Sequence, residues 1–157
     1  MRLRATFLVL ALALLGSASP GRRPPGLEGV ALGGQRVNLS ALRGRVVVVD
    51  FCASWCEPCR RSMPRLQALD AQHRTAGLTV LAVSVDDSRA DAERFVRETG
   101  VTFPVVHDAT HGIAEAWSPA AMPTTVVIDR QGVVRSVLSG EQPGQTDAAV
   151  RALLRGS

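Results

Sequence analysis

Apolar residues along this chain fall into short unbroken runs, and between the runs they recur with a helical period. Residues 46–50 are four valines ending on Asp50, a continuous run of the kind buried on both faces of a sheet. Met63, Leu66, Ala68 and Leu69 follow at helical spacing, so a helix comes next. Residues 78–85 predict a second buried strand, after which Ser88 or Asp87 caps a helix carrying Ala92, Phe95 and Val96 on one face. Residues 103–106 predict a short strand, and a helical segment spans the region from Ile113 to Trp117. Residues 124–128 and 133–138, turning through Arg130-Gln131-Gly132, read as an antiparallel hairpin. A last helix over residues 146–154 turns Ala149, Val150, Leu153 and Leu154 inward. Upstream, residues 30–38 predict a hairpin-like lead strand, with Ser40 capping a short turn that ends at Leu42. Strands separated by helices, then a terminal hairpin and helix, predict an α/β fold: a mixed sheet with helices on both faces.

The ends of the chain add a boundary. Met1-Arg2-Leu3-Arg4 is basic, residues 5–15 form an eleven-residue apolar run, and Gly16-Ser17-Ala18-Ser19 offers small residues for cleavage. Residues 1–19 therefore read as a signal peptide, or as a membrane anchor if left uncleaved. Residues 20–26, rich in Pro, Gly and Arg, read as a flexible lead-in rather than structure. Residues 27–157 suffice for one domain with its own core, and leave no room for a second. The formal charge of +4 falls once Arg2 and Arg4 leave with the leader, and the arginines are spread along helices. That pattern argues against a nucleic-acid partner, which needs clustered cations.

The chemistry concentrates between the first long strand and its helix, at Cys56-Glu57-Pro58-Cys59. A helix N-terminus presents unpaired N–H groups and the positive end of the macrodipole, which favour thiolate over thiol. Cys56 at that position is the attacking nucleophile, and Cys59, one turn inside, the shielded resolving thiol. A purely structural disulfide is a weaker account, because so short a loop contributes little chain-entropy stabilisation. Structural zinc wants four ligands, and neither a second CxxC nor paired histidines occur, so no metal site and no cofactor is expected. His73, His107 and His111 read as surface or loop residues.

Phe51-Cys52-Ala53-Ser54-Trp55-Cys56-Glu57-Pro58-Cys59-Arg60, then residues 80–86, 91–99 and Val101-Thr102-Phe103-Pro104-Val105, then Met122-Pro123-Thr124-Thr125, occur in an order that resembles the thioredoxin superfamily. The likeness is greatest to its extracytoplasmic TlpA- and ResA-like thiol-disulfide oxidoreductases, and it covers roughly residues 27–154. It implies a thioredoxin-like fold and a cis bond before Pro123, placing that loop against the CxxC. The backbone of Met122 would then meet an extended substrate, with Trp55 and Met122 as an apolar wall; both read equally well as core. Asp50 stands where thioredoxins carry a buried acid, able to take the proton of Cys59; the alternative is a strand end hydrogen-bonded to backbone. The implied activity is exchange with protein disulfides outside the cytoplasm, as in cytochrome c or copper-site maturation, fed by a membrane thiol donor. Glu57 adds negative charge beside Cys56, which favours a reductant.

Two departures from the family leave other readings open. Cys52 replaces the usual tryptophan; it is either a buried small hydrophobe or, with Cys56, the CxxxC of a Sco-like copper chaperone, since thiolates suit Cu(I). Ser62 stands where many relatives place a glutamate, so that acid's tuning role does not carry over. A thiol peroxidase shares the fold, but Ala53 stands where its threonine or serine precedes the reactive cysteine.

Overall fold

The computed structural model describes residues 16–156. The chain opens with a small antiparallel hairpin, β1 (Glu28–Val30) and β2 (Arg36–Asn38), and a 3-10 turn over Leu39–Leu42. Asn38, rather than Ser40, caps that turn: its side chain accepts the Ser40 N–H at 3.0 Å. Then come β3 (Val46–Cys52), α1 (Glu57–His73), β4 (Leu78–Ser84), α2 (Arg89–Thr99), β5 (Val105–His107), α3 (Gly112–Trp117), β6 (Thr124–Ile128), β7 (Val134–Ser139) and α4 (Pro143–Arg155). The sheet order is β5-β4-β3-β6-β7. β3, β4 and β5 run parallel, while β6 pairs antiparallel with β3 and β7 with β6.

β3 is central because its composition allows nothing else. Every residue from Val46 to Cys52 is buried, as a strand hydrogen-bonded on both edges and covered on both faces requires. The two strands that run parallel to it on one side, β4 and then β5, need right-handed crossovers in the same direction, which place α1 and α2 on one face; they pack together there, and α4 joins them against β3, β6 and β7. On α1, Cys59, Met63, Leu66 and Leu69 point inward, whereas Ala68, expected on that face, is exposed. The opposite face holds Phe51, whose ring meets Trp117 of α3 at 5.6 Å between centroids. Asp108 fixes α3 by accepting the N–H groups of Ile113 and Ala114 at 3.2 and 2.8 Å. His73, expected at the surface, is half-buried at the end of α1 with Nε2 sealed and unpartnered.

The leader expected over residues 1–19 lies mostly outside the described residues, and no described helix is long and apolar enough to cross a membrane. Residues 20–26 differ from their expectation as a free lead-in. They run beside the outer edge of β7, where the Gly21 N–H donates to the Val134 carbonyl at 2.8 Å and the Val134 N–H to the Arg22 carbonyl at 2.9 Å. The Trp117 indole N–H donates to the Gly26 carbonyl at 3.2 Å, and the Ala18 N–H to the Trp117 carbonyl at 3.3 Å. Pro and Gly make the segment non-helical, but an edge strand with unpaired groups gives it a partner.

A chain beginning at Leu27 is therefore expected to lose about 2–4 kcal/mol, from several hydrogen bonds of ordinary net worth. Urea unfolding followed by tryptophan fluorescence measures it; an unchanged midpoint would mean the strap is not part of the cooperative unit.

Candidate active site

The C-terminal end of β3 delivers the chain into a tight loop, closed by the Cys56 N–H to the Ala53 carbonyl at 3.2 Å. Cys56 is the N-cap of α1, and its sulfur accepts the Cys59 N–H at 3.2 Å. The two cysteines form a disulfide with Cα atoms 5.2 Å apart. Cys59 is fully buried and Cys56 only 4% exposed, beside Trp55, which is 69% exposed. In the reduced state an N-cap sulfur facing an amide N–H at the positive end of a helix is the one whose thiolate is stabilised.

A second carboxylate, absent from the sequence-derived set, holds this loop. Asp86, just past β4 and buried, accepts the Ser54 N–H on both oxygens at 3.1 Å and the Ser54 hydroxyl at 2.6 Å. The Ser84 hydroxyl donates to its other oxygen at 2.8 Å. His107 Nε2 donates to the Asp86 carbonyl at 2.7 Å, tying β5 into the same cluster. Arg60 closes the loop from the helix side by donating to the Ser54 carbonyl at 3.1 Å, with its guanidinium over the Phe95 ring and paired to Glu98. The signal available in sequence was the doublet Asp86-Asp87 ending an apolar strand, which by itself reads as a helix approach.

Asp50 is fully buried on β3, directly across from Thr125 of β6. The Thr125 hydroxyl donates to its Oδ1 at 2.7 Å, and Oδ2 has no partner. The backbone-bonded strand end considered for it is not what the side chain does. Burial pushes its pKa up to about 7, the threonine hydrogen bond opposing. A carboxyl in that range exchanges its proton at neutral pH.

Cys52 lies on the same face of β3 as Asp50, and its thiol points to the Val83 carbonyl at 3.6 Å. Burial, and secondarily the charges of Asp50 and Asp86, push that thiol well up, away from the thiolate that Cu(I) requires. Among the described residues no three His, Cys, Asp or Glu side chains are grouped to hold a metal. Cys52 is fully buried within the core cluster, where a small hydrophobe packs.

The Met122–Pro123 bond is cis. β6 pairs with β3 so that Thr124 faces Phe51, which sets the loop beside the strand end that feeds the CxxC. Pro123 shares a notch with Ser62 and Leu66 of α1. Met122 is half-buried against the core while Trp55 projects outward, so only Trp55 is free of core duty. Ser62 donates to the Cys59 carbonyl at 3.1 Å.

The pattern of the family described as Redoxin matches residues 15–154. The chain is 31% identical over 150 residues to the thiol-disulfide oxidoreductase ResA of Geobacillus thermodenitrificans, covering 88% of this chain and 86% of that one. It is 32% identical over 124 residues to ResA of Bacillus subtilis, covering 79% and 69%. Among solved structures, one from Chlorobium tepidum assigned as a thiol:disulfide interchange protein DsbE has a TM-score of 0.82 at 32% identity, over 88% of this chain and 99% of that one. A secreted thiol-disulfide isomerase from Corynebacterium glutamicum gives 0.75 at 29% identity, over 83% and 84%.

The Asp50 shift has a consequence for stability. Its folded pKa lies above the unfolded value, so between about pH 4 and 7 the native state binds more protons and stability falls as pH rises, levelling off above about 7. Urea unfolding of the oxidised protein from pH 5 to 8 is expected to decline by up to a few kcal/mol, and Asp50→Asn to remove most of that decline. Parallel curves for both proteins would place the slope in groups other than Asp50.

The Asp86 clamp carries its own expectation: Asp86→Ala leaves the half-buried Ser54 hydroxyl and N–H and the buried Ser84 hydroxyl without their acceptor, costing about 2–3 kcal/mol, and quickens proteolysis at the 53–56 loop. Limited proteolysis of wild type and variant checks it.

Proposed function

The chain belongs to the redoxin family, within the ResA- and TlpA-like branch of the thioredoxin superfamily, and is a thiol-disulfide oxidoreductase; from that premise we propose that it reduces protein disulfides outside the cytoplasm. The observation that carries the reading is the CxxC pair at the head of α1, with the Cys56 sulfur facing the Cys59 N–H.

In the reduced enzyme the Cys56 thiolate attacks one sulfur of a substrate disulfide. The substrate S–S bond breaks, its leaving sulfur takes up a proton, and a mixed disulfide joins Cys56 to substrate. Cys59 then loses its proton to Asp50 and attacks the Cys56 sulfur, releasing the second substrate thiol. Two electrons have left the enzyme as the Cys56–Cys59 disulfide, so a dithiol donor must return them. A membrane thiol carrier fits that need in a compartment that oxidises thiols. Trp55, Met122 and Pro123 would form the substrate wall, with an extended peptide held through backbone at Met122.

Direction follows from charge. Glu57 in the first turn of α1 and the buried Asp86 clamp both put negative charge near Cys56, which disfavours the thiolate and so favours the disulfide form, the mark of a reductant. The basic start, apolar run and small residues of the leader, together with the secreted relative from Corynebacterium glutamicum, support export, by a cleaved signal peptide or a retained anchor. Cytochrome c or copper-site maturation is the family-like setting.

Cys56→Ser is expected to reduce insulin-disulfide turnover to background. Cys59→Ser should accumulate mixed disulfides, and Cys52→Ala should stay within about twofold of wild type, as a packing residue does. Equilibration with glutathione is expected to place the Cys56/Cys59 couple below about −200 mV. Equal alkylation of both reduced thiols by iodoacetamide at neutral pH, or a more oxidising couple, would overturn the assignment of nucleophile or direction respectively.

A further inference from the structure

A buried base that accepts a proton in every cycle must also lose it in every cycle. Asp50 is sealed from solvent, and its one side-chain hydrogen bond is to Thr125. Cys52, on the same face of β3, turns its thiol to the Val83 carbonyl and away from such a role, and Cys59 is, on the reading above, the group that Asp50 serves.

Thr125 reaches further. Besides facing Asp50, it lines a notch between Ser62 and Leu66 of α1, Pro123, and the segment from Gly140 to Thr146 at the head of α4. The notch holds about 20 Å³, room for one water. Its rim is charged, since Glu141 there pairs with Arg61 and Arg65, so bulk water and buffer have access to its mouth. A hydroxyl donates one hydrogen bond while accepting others. Thr125 therefore has the two ends a relay requires, one on Asp50 and one toward the notch.

We propose that Thr125 is the proton relay of this enzyme, connecting Asp50 to solvent through the notch between α1, the cis-proline loop and α4. The proposal rests on the reading of Asp50 as the base for Cys59. After Cys59 has given up its proton, the Asp50 carboxylic acid donates to the Thr125 oxygen as the Thr125 hydroxyl donates to a water in the notch. The acid proton passes to threonine while the threonine proton passes to water. The products are the Asp50 carboxylate, an unchanged hydroxyl and a hydronium ion that leaves to buffer; no electrons move. Thr125 acts only through Asp50, so it is a positioning and relay residue.

The direct test is proton exchange at Asp50 in the full oxidised chain, read from the Asp50 ¹³Cγ resonance near its titration midpoint. Wild type is expected to show one averaged signal. Thr125→Val keeps the volume and removes the hydroxyl, and should slow exchange on the order of tenfold or more, broadening or splitting the signal; Thr125→Ser should restore the average. An averaged signal in Thr125→Val overturns the relay. Should Thr125→Val fail to fold, wild type in mixed H₂O and D₂O still decides. Two protons in flight give a curved dependence of the exchange rate on deuterium fraction, and a straight line overturns the proposal. Stopped-flow resolution of the mixed disulfide in Asp50→Asn separates the two ideas. Unchanged resolution there defeats the base, whereas slowed resolution there with unslowed Asp50 exchange in Thr125→Val defeats the relay alone.

Discussion

The complete burial of β3 is the constraint on which the rest of the site depends. A strand with apolar side chains on both faces is satisfied only at the centre of a sheet, with partners on both edges. β4 supplies one edge and β6 the other, and each brings something to the end of β3. β4 leads into Asp86, which grips Ser54; β6 follows the cis-proline loop and carries Thr125 to Asp50. The CxxC is thus held between two neighbouring strands rather than by its own loop, which is the rigidity a reacting pair of sulfurs needs.

Two buried carboxylates, one on the strand that leads to the disulfide and one bonded to the loop before it, are handled in different ways. Asp86 is satisfied by donors from Ser54 and Ser84, which offset the cost of burying its oxygens. Asp50 has one donor and one bare oxygen, so burial dominates and its proton is held to about pH 7. One acid fastens the loop through its donors, while the other keeps a bare oxygen and a pKa raised by burial.

The other face of the sheet has no chemistry but stabilises what does. Phe51 packs at a tilt against Trp117, and Trp117 is held by Gly26 of the N-terminal strap. Phe51 precedes Cys52 on β3, so the strap braces the strand end from behind while α1 covers it in front.

Much of this was legible along the chain. The valine run, the helical recurrence after it and the turn at Gln131-Gly132 each carry their structure locally, because strand burial, helical period and turn backbone are decided by near neighbours. The cysteine pair and the proline loop were equally local, the loop through its likeness to a family. What depended on distant partners was not legible. Nothing in Pro20 to Gly26 says that an unpaired edge of β7 awaits it. Nothing in Asp86 says that it will meet Ser54, 32 residues away. Nothing in Cys52 says that its thiol will turn inward toward Val83. Asp50 was suspected from its position, but the direction of its pKa and its threonine partner 75 residues on required β3 and β6 to be paired in register. Sequence determined the elements and the cysteine pair between them, whose physics is short-range; the tertiary structure decided burial and hydrogen-bond partners, which are properties of the assembled sheet.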